Sequence, residues 1–145
     1  MTKSFVNTAR LLVPGLLAAC IIPASAMAKP TDLKATLDGA SEVPAGDADG
    51  TGGFSVSVDP DTNDFCYTLW AEKTAAPTAA HVHAGVAGAN GPPVITLEVT
   101  GKDDNICIAV DKAKLDPIVA TPEGFYVNVH TADFPNGAVR GQLTK

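Results

Sequence analysis

The chain has 145 residues with 10 basic and 16 acidic side chains, for a formal net charge of −6 at pH 7, and it carries three histidines and three cysteines. An acidic chain repels nucleic acid and anionic membrane alike, so neither is expected as a partner. Its length suits one domain built on a single core.

The N-terminus reads as a secretory signal peptide over residues 1–28. Lys3 and Arg10 precede the apolar run Leu11 to Ile22, which Pro14 and Gly15 break, and Pro23 leads into the small-residue stretch Ala24-Ser25-Ala26-Met27-Ala28. The run is too short for a spanning helix. Cleavage is expected after Ala28, with Ala26 as the alternative. Leu17-Ala18-Ala19-Cys20 offers a competing reading, a bacterial lipoprotein box that would anchor the chain through Cys20. Against it, Ile21-Ile22-Pro23 is an unusually apolar start for a tethered chain. Both routes lead to a periplasmic or secreted protein. Removal of the leader takes Lys3, Arg10 and no acid, so residues 29–145 form a mature chain of 117 residues with net charge −8. No later stretch is long and apolar enough to span a bilayer.

Strand signals then recur: Leu33 to Leu37, Gly53 to Val58, Phe65 to Ala71, Ala79 to His83, Val94 to Val99, Ile106 to Val110, Gly124 to His130 and Ala138 to Leu143. Turn-rich segments such as Pro44-Ala45-Gly46-Asp47 and Gly88-Ala89-Asn90-Gly91-Pro92-Pro93 separate them. About eight short strands with turns between them predict an all-β, antiparallel sandwich or barrel. Lys112-Ala113-Lys114-Leu115 predicts one helical turn, limited by Pro117. Asp47, Asp49 and Gly50, or Asp59, Asp61 and Asn63, resemble calcium-loop fragments, but neither has the distal bidentate Glu, and hairpin turns explain them better. Cys66 and Cys107 remain in the mature chain, and in an oxidising compartment an even count predicts a disulfide over a thiolate metal site.

Alternation along a strand puts His81 and His83 on one face and Val82 on the other. In Phe125-Tyr126-Val127-Asn128-Val129-His130 it gives Val127 and Val129 to the core and Asn128 and His130 to the opposite face. Every histidine thus falls in one of two strand motifs, His81-Val82-His83 and His130, beside the small residues Ala80, Ala84 and Gly85. Three imidazoles suit a mononuclear metal site with an open position; ordinary surface histidines are the alternative. Copper and zinc both match the donor type, copper by its higher intrinsic affinity and tolerance of three nitrogen ligands when reduced, zinc as a hydrolytic site. A tight Asn136-Gly137 turn would set His130 on the face of Val139 and Leu143, which look like core residues. A longer loop or bulge is therefore expected, placing Ala138, Arg140 and Gln142 on the His130 face. Arg140 could then reach an anion at the metal, or it could be a surface residue paired with Asp133 or another acid.

Ala80-His81-Val82-His83-Ala84-Gly85, Asn90-Gly91-Pro92, Tyr126-Val127-Asn128-Val129-His130-Thr131 and Phe134-Pro135-Asn136-Gly137-Ala138-Val139-Arg140-Gly141-Gln142-Leu143 closely resemble the CHRD (chordin-type) domain family, of the bacterial secreted type. Leu37-Asp38-Gly39-Ala40-Ser41-Glu42-Val43-Pro44 looks like its opening motif. A fainter resemblance runs to copper/zinc superoxide dismutases. It implies a Greek-key β-sandwich in which His81, His83 and His130 match three copper ligands and Arg140 matches the arginine that guides the anion. The chain has no bridging histidine and none for a zinc subsite, so the implied site is copper-only. The resemblance therefore implies a copper-dependent superoxide dismutase, with Asn128 orienting a ligand ring. The alternative is a copper-binding or protein-recognition module without catalysis.

Overall fold

The computed structural model describes residues 1–2 and 29–145, so the signal-peptide reading and Cys20 concern residues outside those described. Eight strands form: β1 (Thr31–Asp38), β2 (Thr51–Asp59), β3 (Asp64–Glu72), β4 (Pro77–Ala84), β5 (Pro93–Leu97), β6 (Ile106–Ala109), β7 (Phe125–Thr131) and β8 (Val139–Gln142). Alternate residues of β1 and β2 are buried, among them Leu33, Ala35 and Leu37 on β1 and Phe54, Val56 and Val58 on β2. This is the period that the sequence carries.

All eight strands join in one antiparallel sheet of order β5-β4-β7-β8-β1-β2-β3-β6, where two separate sheets were expected. The seam between its halves is narrow, with Asp38 opposite Arg140 on β8 and a single further bridge from Lys34 to Thr144. The chain itself requires this sheet to curl. Strands β3 and β4 stand five places apart, about 24 Å in a flat sheet, yet the four residues between Glu72 and Pro77 reach at most about 18 Å. Curling brings the flanks face to face into a half-barrel. The β5–β6 connection then runs along β3, where the Thr100 and Gly101 amides donate to the Leu69 carbonyl at 2.8 and 3.1 Å. Phe65, Tyr67, Leu69, Val82, Ile95, Val127, Val129 and Leu143 fill the interior.

The helical segment is longer than predicted. Helix α1 spans Lys112–Ala120 and continues through Pro117. Proline within a helix costs about 3 kcal/mol, but Leu115 and Ile118 are both fully buried, and each contributes roughly 1.5–3 kcal/mol. The pair outweighs the break. The Asp-rich segments are turns: Asp59 Oδ1 accepts from the amides of Asp61 at 2.9 Å and Thr62 at 3.4 Å, and Asn63 adopts φ 65°. Among the described residues no helix is long and apolar enough to cross a membrane.

Cys66 on β3 and Cys107 on β6 are directly opposite and form the expected disulfide. It is consistent with a protein located outside the cytoplasm. Among the described residues strand β6 has no hydrogen-bonded strand neighbour other than β3, so the bond pins an edge that four residue pairs alone would hold. Replacing both cysteines with serine should lower stability by about 2–4 kcal/mol. Urea unfolding at matched pH would measure it, and an unchanged midpoint would show that the crosslink contributes nothing to the fold.

Candidate metal centre

Strands β4, β7 and β8 lie side by side, and their register fixes the face of every candidate residue. Ala79 stands opposite His130, His81 opposite Asn128, and His83 opposite Tyr126. Across the other edge of β7, Asn128 faces Arg140 and Tyr126 faces Gln142. Directly opposed residues share a face, so the three histidines, Asn128, Tyr126, Arg140 and Gln142 all project away from the core. The link from β7 to β8 is the longer loop expected, residues 132–138, closed by the Phe134 carbonyl accepting from the Thr131 and Gly137 amides.

The ring nitrogens are sorted by their partners. A carbonyl oxygen only accepts, so His83 Nδ1 donates to Gly91 O at 2.8 Å and His130 Nδ1 donates to Pro135 O at 3.0 Å. Both rings therefore carry their proton on Nδ1 and present a lone pair at Nε2. His83 Nε2 is buried with no hydrogen-bond partner, and His130 Nε2 accepts from His81 Nδ1 at 3.2 Å. Two nitrogens that far apart, each about 2.0–2.1 Å from one ion, subtend about 100° there. Among the described residues His81, His83 and His130 are the one group of three or more His, Cys, Asp or Glu side chains placed to hold a metal ion, their ligand atoms all within 4.8 Å of one another. Burial lowers the pKa of His81 below the usual histidine value, with the charges of His130 and His83 adding to it. Burial likewise lowers that of His83, opposed by the Gly91 carbonyl and the Asn128 amide and reinforced by His130 and Arg140. Both shifts favour the neutral, ligating form.

Arg140 takes the expected face but not an exposed position: it is 1% exposed. Its Nη1 donates to Asn90 Oδ1 at 3.1 Å, and its Nη2 donates to Val86 O at 3.3 Å and to Ala89 O. Among the described residues neither Asp133 nor any other acid forms a salt bridge with it. Its guanidinium lies over the Tyr126 ring, 3.3 Å from the centroid, and His83 stacks on the same tyrosine at 4.8 Å and 7°. The result is a layered stack of imidazole, phenol and guanidinium. The loop of residues 85–92 that covers it is held further by Asn90 Nδ2 on Val43 O at 2.7 Å and Gln142 Nε2 on Gly85 O at 2.8 Å. Gly91 has no room for a side chain, because a Cβ there would strike the Ala84 carbonyl.

Glu42, which the sequence did not single out as a functional residue, is 5% exposed beside Asn128, itself 2% exposed. Burial raises the Glu42 pKa, and the Asn128 amide, the Arg140 charge and the Val43 backbone partly offset this. The carboxylate occupies the space that a Cβ on Gly137 would fill, which, with φ 139° there, explains the glycine. A lone glutamate in a loop of small residues gives little local warning of burial; its place in the family-like opening motif was the available signal.

The family model for the CHRD domain matches residues 33–143, and the chain belongs to that family. Searches of curated proteins and of solved structures each gave no match.

Glu42 gives this region a pH signature. Its pKa is higher in the folded chain than the ordinary 4.5, so the group favours the fold below that value and the contribution is lost as pH rises through the folded pKa. Glu42→Gln removes the titration. The variant should therefore gain melting temperature relative to the natural chain as pH rises from 4 to 7. A difference that stays constant over that range in thermal melts would contradict the burial assignment.

Proposed function

We propose that this is a periplasmic or secreted protein that binds one copper ion through His81 Nδ1, His83 Nε2 and His130 Nε2 and dismutates superoxide there. The observation that carries the metal assignment is the sorting of the imidazoles: His83 and His130 have Nδ1 tied to carbonyls, His83 Nε2 is left without a partner, and His130 Nε2 faces His81 Nδ1 at 3.2 Å. Such carbonyl partners fix tautomer and ring orientation in metal sites. Copper is favoured over zinc by its affinity for imidazole and its tolerance of three-nitrogen ligation. A hydrolytic zinc site would also need a general base at hand, and the cluster contains no Asp or Glu.

The dismutase reading draws on the fold as well. Strand β7 returns beside β4 after the run β4-β5-β6, the order of a Greek key once the facing, unpaired edges β5 and β6 are taken as neighbours. We read the curled sheet as a dismutase-like sandwich open along that line. Bound copper would supply one-electron exchange, oxidising one superoxide to dioxygen and reducing another to peroxide with two protons from solvent. The chain's own part is to hold the three donors, leave their half-buried rims accessible, and place positive charge nearby. Arg140 does the last as a fixed charge behind Tyr126, which matters because the net charge of −8 on the mature chain disfavours an anionic substrate. A recognition module without catalysis is the second reading, favoured by Val43 and Val86, apolar side chains exposed on the two loops that Asn90 joins.

Copper should bind one to one in competition with a chelator. His81→Ala, His83→Ala and His130→Ala should each weaken binding by more than about 100-fold, beyond the usual loss for a supporting partner. Unchanged affinity in all three would remove the site.

In pulse radiolysis the copper-loaded protein should consume superoxide far faster than the metal-free protein. No activity at full copper content would reject the dismutase and leave the recognition module.

A further inference from the structure

Three buried polar side-chain atoms have no hydrogen-bond partner among the described residues: Glu42 Oε1, Asn128 Oδ1 and His83 Nε2. They belong to residues that meet at one place. Asn128 lies on the floor of the site, opposite His81 and Arg140 in the sheet, and its amide is within reach of both Glu42 and His83. All three atoms are acceptors, since His83 carries its proton on Nδ1. Burying an acceptor without a partner is costly, so their clustering needs a cause.

We propose that Glu42 is a positioning residue that keeps the ligating nitrogen of His83 free by fixing which way the Asn128 amide points. A carboxylate can only accept, so the side of Asn128 that meets Glu42 must be its NH2 group, and its carbonyl must turn toward His83. Two acceptors cannot bond to each other, so Nε2 keeps its lone pair for a metal. With a donor in place of the carboxylate, the amide could turn over. Its NH2 group would then donate to Nε2 and compete with the metal. Glu42 acts on His83 through Asn128 and touches no ligand.

The proposal rests on His83 being a ligand, and its test separates the two ideas. Nitrogen-15 spectra of the metal-free protein report whether an unprotonated ring nitrogen accepts a hydrogen bond. In the natural chain His83 Nε2 should show no such bond. In Glu42→Gln, isosteric and expected to fold, the resonance should move to the hydrogen-bonded position, and Glu42→Ala should move it the same way. Copper affinity of Glu42→Gln should fall by about 10-fold, within the range for partners that support a ligand, and Glu42→Gln/Asn128→Ala, which has no amide to turn, should recover most of it. A resonance identical in all variants would overturn the role of Glu42. So would a double variant as weak as the single one. If the natural chain binds no copper, the copper assignment falls, and the spectra still decide the orientation of Asn128.

Discussion

The pairing of Asn128 with Arg140 across β7 and β8 is the constraint from which the site follows. Side chains alternate across a strand, so a slip of one residue would carry Tyr126, Asn128 and His130 together into the core and bring Val127 and Val129 out. Both valines are fully buried, and exposing either would cost roughly 1.5–3 kcal/mol. The loop of residues 132–138 holds that register from one end, with Gly137 leaving room for the Glu42 carboxylate. Strand β4 reads its own register from the other edge of β7, so His81 and His83 are placed by the same alignment.

The face that carries the histidines is covered in its own right. The loops at residues 39–50 and 85–92 close over it, joined by Asn90, whose amide donates to Val43 and whose oxygen accepts from Arg140. Buried positive charge is tolerable here because carbonyls, a side-chain amide oxygen and an aromatic face all meet it. One residue, Tyr126, touches both Arg140 and His83 and donates no charge to either. Its hydroxyl accepts from the Gly91 amide at 3.3 Å, while the Gly91 carbonyl holds His83. Loop closure and the orientation of the His83 ring are therefore parts of one arrangement.

What the sequence made legible was what alternation controls: the strands, the shared face of the histidines, and the register that puts Arg140 on it. The core character of Val139 and Leu143 was enough to reject a tight turn at Asn136-Gly137. The disulfide was legible from cysteine count and compartment. Local pattern could not show what tertiary packing decides. Helix α1 passes through Pro117 because Leu115 and Ile118 find the core. Arg140 is enclosed by carbonyls 50 and more residues away in the chain, and the two halves form one sheet through a seam of two residue pairs. Glu42 is far in sequence from Asn128, and no spacing rule connects them.

The disulfide also divides the site along the chain. The covalent ring from Cys66 to Cys107 encloses His81, His83 and Gly91 and leaves out His130 and Arg140. As the polypeptide emerges from its N-terminus, the ring can close around a complete His-x-His hairpin while the third imidazole is still to come. That hairpin holds two of the three imidazoles, one of them already tied to the Gly91 carbonyl within the ring, and His130 joins them from outside it. The three imidazoles are therefore brought together only when β7 stands between β4 and β8.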